Sequence, residues 1–338
     1  MGNLKEIDFY GKNLSPDQTT QISQAFTEKV NESPFDAIIL DLSENQLTDE
    51  SVESLKHILL HPQLLELRFS DNQLTASGTT TLCQVLAQRT TSLQALSLCH
   101  NDFSSEQSIQ ALSQLLSTNA DLSYLDLTGC QMPSGGIEVI SQAVAQHPSL
   151  KTLNLSDIAI GNDVVKIATM LHANTSLESL FLCQCQLQDN ASAQLGWVVA
   201  HHPRLKTLNI ESNDLTAQAA TAFLDYLPFN RTLCEYYGPD KDGEIAAICE
   251  RNQRLPYKMP WSAQYNPEAG LVEQMQGLIL NTATTPSSTL LFRAGQEAIR
   301  QKKLNERTFG EALANNLLDS TYHEACLTSF QRRNKRKG

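Results

Sequence analysis

The sequence predicts an α/β solenoid, with parallel strands on a concave face and helices on a convex face, followed by a small all-α domain. Three observations support this. The pattern Leu-x-x-Leu-x-Leu-x-x-Asn-x-Leu recurs eight times, at intervals of 27 to 33 residues. An amphipathic stretch fills the rest of each interval. The pattern stops near residue 235. We therefore expect an array of about eight units at residues 1–235 and a helical domain at 240–338.

Each unit is expected to begin with a short strand. In the unit that starts at Leu93, Leu96 and Leu98 occupy alternate positions, so they point to the core while the residues between them line the concave face. The Asn position, for example Asn72, satisfies backbone groups where the strand ends. Ile158 stands at this position in one unit and cannot form such bonds, which predicts a looser turn there.

The second half of each unit is expected to form a helix. After Leu74, the residues Leu82, Val85 and Leu86 have the spacing of one apolar helix face. The template and its period are those of the leucine-rich repeat. The length of the units leaves room for a full helix, so residues 1–235 resemble the ribonuclease-inhibitor type of that repeat. The resemblance implies the fold, but the family binds many unrelated partners.

The last hundred residues are expected to form a small helical bundle. Asn266-Pro267-Glu268 is a typical helix start, and residues 288–301 and 306–330 show apolar stripes. The bundle would pack on the array or be tethered to its end. Five of the six residues 332–337 are basic. This tail is interpreted as a solvated segment, with a nuclear localisation signal or an anionic-lipid contact as alternatives.

Composition narrows the functional classes. We expect no membrane span and no secretory signal, because no apolar run has the required length. The eight cysteines form no framework of paired spacings, which favours free thiols in a reducing intracellular environment. Residues 1–235 hold 11 Lys and Arg against 26 Asp and Glu, whereas the rest of the chain is net positive. An acidic array argues against nucleic acid as a ligand and favours a protein with a basic patch.

Eleven side chains predicted for the concave face are the candidate binding residues. Aromatic anchors with flanking charges are typical of protein interfaces, and Tyr10, Tyr124 and Phe181 are the expected anchors. The full set is Glu6, Asp8, Tyr10, Asp41, Glu66, Arg68, Tyr124, Asp126, Phe181, Asn209 and Glu211. Ordinary solvated surface positions are the alternative interpretation of each residue.

Two further features are interpreted as structural. The pairs His61-Pro62, His147-Pro148 and His202-Pro203 all precede the first leucine of a unit by three residues. This is the loop in which the preceding helix ends, so no catalytic role is expected for these histidines. Trp197 is expected to pack between adjacent helices.

The predicted function is a non-catalytic protein–protein interaction module, with no cofactor and no metal. The composition resembles that of leucine-rich repeat effectors of intracellular bacteria such as Legionella. This resemblance implies secretion without a signal peptide into a host cytosol, and a host protein or another effector as the partner. One alternative is a regulator of a small GTPase. Another is an enzyme in residues 240–338, where His323 and Cys326 lie close in sequence. The oligomeric state is left open.

Overall fold

Strands and helices alternate along the chain. The computed structural model describes residues 4–32, 37–240 and 242–254. The strands are β1 Leu4–Asp8, β2 Ala37–Asp41, β3 Leu64–Arg68, β4 Ala95–Ser97, β5 Tyr124–Asp126, β6 Thr152–Asn154, β7 Ser179–Phe181, β8 Thr207–Asn209 and β9 Glu235–Tyr237. The helices are α1 Pro16–Glu32, α2 Asp49–Leu59, α3 Ala76–Ala87, α4 Glu106–Thr118, α5 Gly136–Ala145, α6 Val164–Ala173, α7 Asp189–His201, α8 Ala217–Leu224 and α9 Glu244–Arg254.

The nine strands form one parallel sheet in sequence order, β1 to β9. Equivalent template positions are in register, so that Leu67 of β3 lies beside Leu96 of β4, which lies beside Leu125 of β5. Each crossover between neighbouring strands contains a helix, as parallel strands require. The α/β solenoid predicted for the repeats is confirmed.

The core lies between the sheet and the helices. Leu67, Leu96 and Leu125 are completely buried, and burial of one such side chain stabilises the fold by roughly 1.5–3 kcal/mol. Trp197 of α7 is partly buried, with its ring centroid 5.6 Å from that of His172 of α6. The prediction that Trp197 packs between adjacent helices is therefore confirmed.

An asparagine ladder joins successive units at the ends of the strands. The Asn72 amide nitrogen donates to the carbonyls of Leu42 (3.0 Å) and Phe69 (3.2 Å), which belong to two different units. Its oxygen accepts from the N–H of Leu47 at 3.2 Å. Cysteine can take this place because the Cys130 thiol donates to a carbonyl of the preceding unit at 3.2 Å. Each rung supplies partners to backbone groups that would otherwise be buried without one.

The histidines of the His-Pro pairs hold the loops at the other end of the strands. His147 Nδ1 accepts from the N–H of Leu150 at 3.1 Å, and its Nε2 lies 3.0 Å from the carbonyl oxygen of Asn119. His202 Nδ1 accepts in the same way from Leu205 at 2.9 Å. The structural interpretation of these residues is confirmed, since the ring nitrogens form hydrogen bonds with backbone groups of the loop. The ring of His147 also bonds to the backbone of the preceding unit.

A ninth strand continues the parallel sheet at the predicted boundary of the array. β9 pairs with β8, and Tyr236 takes the core position that leucine holds in β4 to β8. Helix α9 follows and caps the row of loop residues to which His147 and His202 belong, because the Asn252 amide donates to Asn230 Oδ1 (3.0 Å) and to the carbonyl of Leu233 (2.8 Å). The template is matched only in part here, because a tyrosine replaces the leucine. The helical domain and the basic tail predicted beyond this point lie outside the described residues.

We expect Asn252→Ala to lower the free energy of unfolding by about 1–3 kcal/mol, because Asn252 is 4% exposed and the buried carbonyl of Leu233 would lose its donor. The measurement is urea unfolding of the full chain followed by circular dichroism. Glu250→Ala on the exposed side of the same helix is the control and should change stability by less than about 0.5 kcal/mol. Equal stability of the two variants would show that α9 does not close the array.

Candidate concave interaction surface

The concave face carries three rows of side chains that point away from the core. The first row is Glu6, Ile39, Glu66, Ala95, Tyr124, Thr152, Ser179, Thr207 and Glu235. The second row is Asp8, Asp41, Arg68, Ser97, Asp126, Asn154, Phe181, Asn209 and Tyr237. The third row, two residues further along, is Tyr10, Ser43, Ser70, Cys99, Thr128, Ser156, Cys183 and Glu211. All eleven predicted binding residues belong to these rows.

Arg68 lies among carboxylates from three strands. Its guanidinium is 2.6 Å from Glu66, 3.3 Å from Asp41 and 3.7 Å from Glu6. One positive charge faces three negative charges. The guanidinium of Arg68 is therefore already paired with carboxylates of this surface, and the group as a whole remains net negative. A partner approaching β1 to β3 therefore meets an acidic surface.

Tyr10 is an exposed aromatic at the acidic end of the face. Its side chain is 49% exposed, and its hydroxyl donates to Glu44. The hydrogen bond to Glu44 raises the pKa of Tyr10 above its ordinary value. Glu44 and Asp71 extend the acidic surface beside the third row, and both are exposed. The sequence prediction missed these two residues because it considered only the template positions that belong to the three rows.

Glu44 and Asp71 belong to a row of residues with a left-handed backbone. The row is Gly11, Glu44, Asp71, His100, Gly129, Asp157, Gln184 and Ser212, with φ between 52° and 65°. Each of these residues precedes the Asn position of its unit by one, a position that Lys12 occupies in the first unit. The turn that ends the strand therefore requires this conformation. Only glycine adopts it without a cost of about 1 kcal/mol. The row could have been found from the sequence, because its residues always occupy the template position directly before the Asn position.

Several predicted binding residues also terminate their own strands. The side-chain oxygen of Asp8 accepts from the N–H of Tyr10 at 2.8 Å, and that of Asp126 accepts from Thr128 at 3.0 Å. Asp41 and Asn209 do the same, as does Asn154, which was not among the predicted binding residues. This contact two residues ahead is typical of Asx turns. Asp41 is only 7% exposed, so little of it is open to a partner.

Two more aromatic residues stand on the face towards its other end. Tyr124 is 37% exposed and donates its hydroxyl to Asp126 Oδ2 at 3.0 Å, and burial raises the pKa of its phenol. Tyr237 is 43% exposed. It was not predicted because it follows the expected end of the array. Phe181, the third predicted anchor, is half-buried between the asparagines of its row.

The cysteines that the structure describes are free thiols. Across residues 4–32, 37–240 and 242–254, no group of His, Cys, Asp and Glu is arranged to hold a metal ion.

Each helix within the described part of the chain is too short or too polar to cross a bilayer.

Comparison with known proteins gives leucine-rich repeat relatives. The family model described as leucine rich repeat matches residues 39–56. NACHT, LRR and PYD domains-containing protein 9 of Bos taurus is 28% identical over 260 residues, which cover 73% of this chain and 25% of that protein. The ribonuclease inhibitor of Sus scrofa is 27% identical over 178 residues, 52% of this chain and 39% of the inhibitor.

A third relative, leucine-rich repeat-containing protein 73 of Homo sapiens, is 30% identical over 139 residues, 40% of this chain and 44% of its own length. The chain thus spans between a quarter and 44% of these three relatives. Together with the repeated template and the nine-stranded parallel sheet, the similarities show that the chain has the leucine-rich repeat solenoid fold.

Proposed function

We propose that the protein is a non-catalytic interaction module that binds a partner protein on its concave face. The observation that carries this proposal is the distribution of exposed aromatic side chains. Among the described residues, the large hydrophobic side chains that are exposed are Leu4, Tyr10, Tyr124 and Tyr237, and the three tyrosines all lie on the concave face. Exposed tyrosines supply much of the binding energy of protein interfaces.

The charge of the face supports a partner with a basic surface. Tyr10 is surrounded by the carboxylates of Asp8, Glu44 and Asp71, and the guanidinium of Arg68 is already paired. Complementary basic groups on a partner would accelerate the encounter and fix its orientation. One relative is named a ribonuclease inhibitor, which supports a protein as the ligand of this kind of array.

The proposal is tested by affinity capture from cell lysate with the native chain and a variant carrying Tyr10→Ala, Tyr124→Ala and Tyr237→Ala. We expect a protein captured by the native chain to be lost by the variant. The matched control carries Gln110→Ala, Gln142→Ala and Thr169→Ala, at exposed positions on three successive helices, and should retain the protein. Retention by the concave variant together with loss by the helix variant would reverse the assignment of the binding face.

The place of action is part of the same proposal. We infer a reducing intracellular environment, which is supported by the free state of seven cysteines. Delivery of the protein into a host cytosol as a bacterial effector stays a prediction of the sequence, and the relatives named above are mammalian. A GTPase regulator and an enzyme in residues 240–338 stay alternatives, and His323 and Cys326 lie outside the described residues.

A further inference from the structure

Three neighbouring side chains of the second row form a distinct group towards the far end of the concave face. Phe181 of β7 lies directly between Asn154 of β6 and Asn209 of β8 in the register of the sheet. Because adjacent strands are separated by about 4.8 Å, the backbones of the two asparagines are about 10 Å apart. The group is therefore an aromatic ring with one amide on either side.

The orientation of both amides is fixed by the backbone. Asn154 Oδ1 accepts from the N–H of Ser156 at 3.1 Å, and Asn209 Oδ1 accepts from the N–H of Glu211 at 3.0 Å. A backbone N–H can only donate, so the oxygen of each amide must face it. The nitrogen of each amide then points away from its turn, and neither nitrogen is hydrogen-bonded to any other described residue.

The charged side chains around these donors are all carboxylates. In the three rows of β5 to β9 they are Asp126, Glu211 and Glu235, and no basic residue stands among them. Two half-buried amide donors would lose their water when a partner covers them, and each then needs an acceptor. The matching acceptors are neutral carbonyl groups, because a carboxylate of the partner would be repelled by these residues.

We propose that β6 to β8 bind an extended peptide segment of the partner, whose backbone carbonyls accept from Asn154 and Asn209 and whose apolar side chain packs on Phe181. An extended chain has carbonyls on one side about 7 Å apart, within reach of both amides. A helix fits less well as the occupant, because all of its carbonyls except those of the last turn are bonded internally. This inference rests on the proposed function, since it places one part of the partner on the concave face.

The probe is a phage-displayed library of linear peptides about 12 residues long, which span about 40 Å when extended. Peptides selected on the full chain are then measured by fluorescence polarisation. The test variant carries Asn154→Ser and Asn209→Ser, because serine can still accept from the N–H two residues ahead but lacks the amide NH2 group that projects from each asparagine. We expect selected peptides to bind this variant roughly tenfold more weakly, as the loss of two hydrogen bonds implies.

A second variant controls for the fold of the turns. Asp takes the same second-row position at Asp8, Asp41 and Asp126 and makes the same turn. Asn154→Asp and Asn209→Asp therefore keep the strand ends but replace each donor by an acceptor. Binding should weaken at least as much as in the serine variant. Gln110→Ala with Gln142→Ala, at exposed positions on the helices, should leave the affinity of the peptides unchanged.

The outcomes separate this inference from the proposed function. Equal affinity of native chain and serine variant, or a library that yields no binding peptide, would overturn the inference. If the captured partner is then still lost when Tyr10, Tyr124 and Tyr237 are replaced, the concave face remains the binding face. If the partner is retained by both the tyrosine variant and the serine variant, the proposed function fails as well.

Discussion

Replacing Leu125 by alanine should lower the free energy of unfolding by about 2–5 kcal/mol. Leu125 is completely buried between Leu96 and Leu153 of the adjacent strands. A cavity at this place would affect three units at once, because each unit buries its apolar face only against its neighbours. The measurement is urea unfolding at neutral pH, followed by far-ultraviolet circular dichroism.

The neighbouring residue Tyr124 provides the matched control. Tyr124 points to the concave face and is 37% exposed, so Tyr124→Ala should cost no more than about 1 kcal/mol, close to the range of surface substitutions. If Tyr124→Ala destabilised the chain as much as Leu125→Ala, the assignment of core and concave faces would be wrong.

Acid should destabilise the array well before most carboxylates are protonated. Burial is the main cause that lowers the folded-state pKa of the described histidines His61, His147, His172, His201 and His202. For His202 the folded pKa is about 4. These rings are neutral in both states at high pH. Below pH of about 6.5 the unfolded chain takes up protons that the folded chain does not, so stability falls.

For His202 this loss begins near the unfolded pKa of about 6.5 and stops growing below the folded pKa. The difference of about 2.5 units corresponds to about 3 kcal/mol at the acid end. The measurement is the free energy of unfolding at a series of pH values from 7.5 down to about 5, above which most carboxylates stay ionised. We expect a continuous decrease over that range.

His202→Asn tests the assignment of this pH dependence. Asparagine holds the same loop position at Asn174, where its Oδ1 accepts from the N–H of Leu177 at 2.8 Å, as His202 Nδ1 does from Leu205. The variant should therefore fold and lose less stability on acidification than the native chain. Parallel stability curves for the two chains would show that His202 does not contribute.

The fold could be predicted from the sequence because each unit repeats one pattern. The leucines at alternate strand positions, such as Leu96 and Leu98, fix which side of the strand is buried, and the interval length requires a helix. The sequence marks the ninth unit only in part, since Tyr236 fills the leucine position and the loop that follows it departs from the template. β9 also packs against α9, which the template does not contain.

The candidate surface was predicted only in part. Alternation of side chains places Tyr10, Tyr124 and Phe181 correctly, because it follows from strand geometry alone. It does not reveal that the side chain of Asn209 terminates its own strand. Nor does it reveal that Glu44, in a left-handed turn, accepts a hydrogen bond from the hydroxyl of Tyr10. Those contacts depend on φ angles and on the spacing of neighbouring units, which the pattern of residue types does not encode.

Photo-crosslinking tests most directly whether the concave face is the binding face. The amino acid p-benzoylphenylalanine replaces Tyr124 on the concave face or, in a control chain, Gln142 on the exposed side of α5. We expect irradiation in lysate to link a discrete partner to the chain with the probe at position 124 and not to the control. A partner linked only from position 142 would place binding on the helical face and contradict the proposed function.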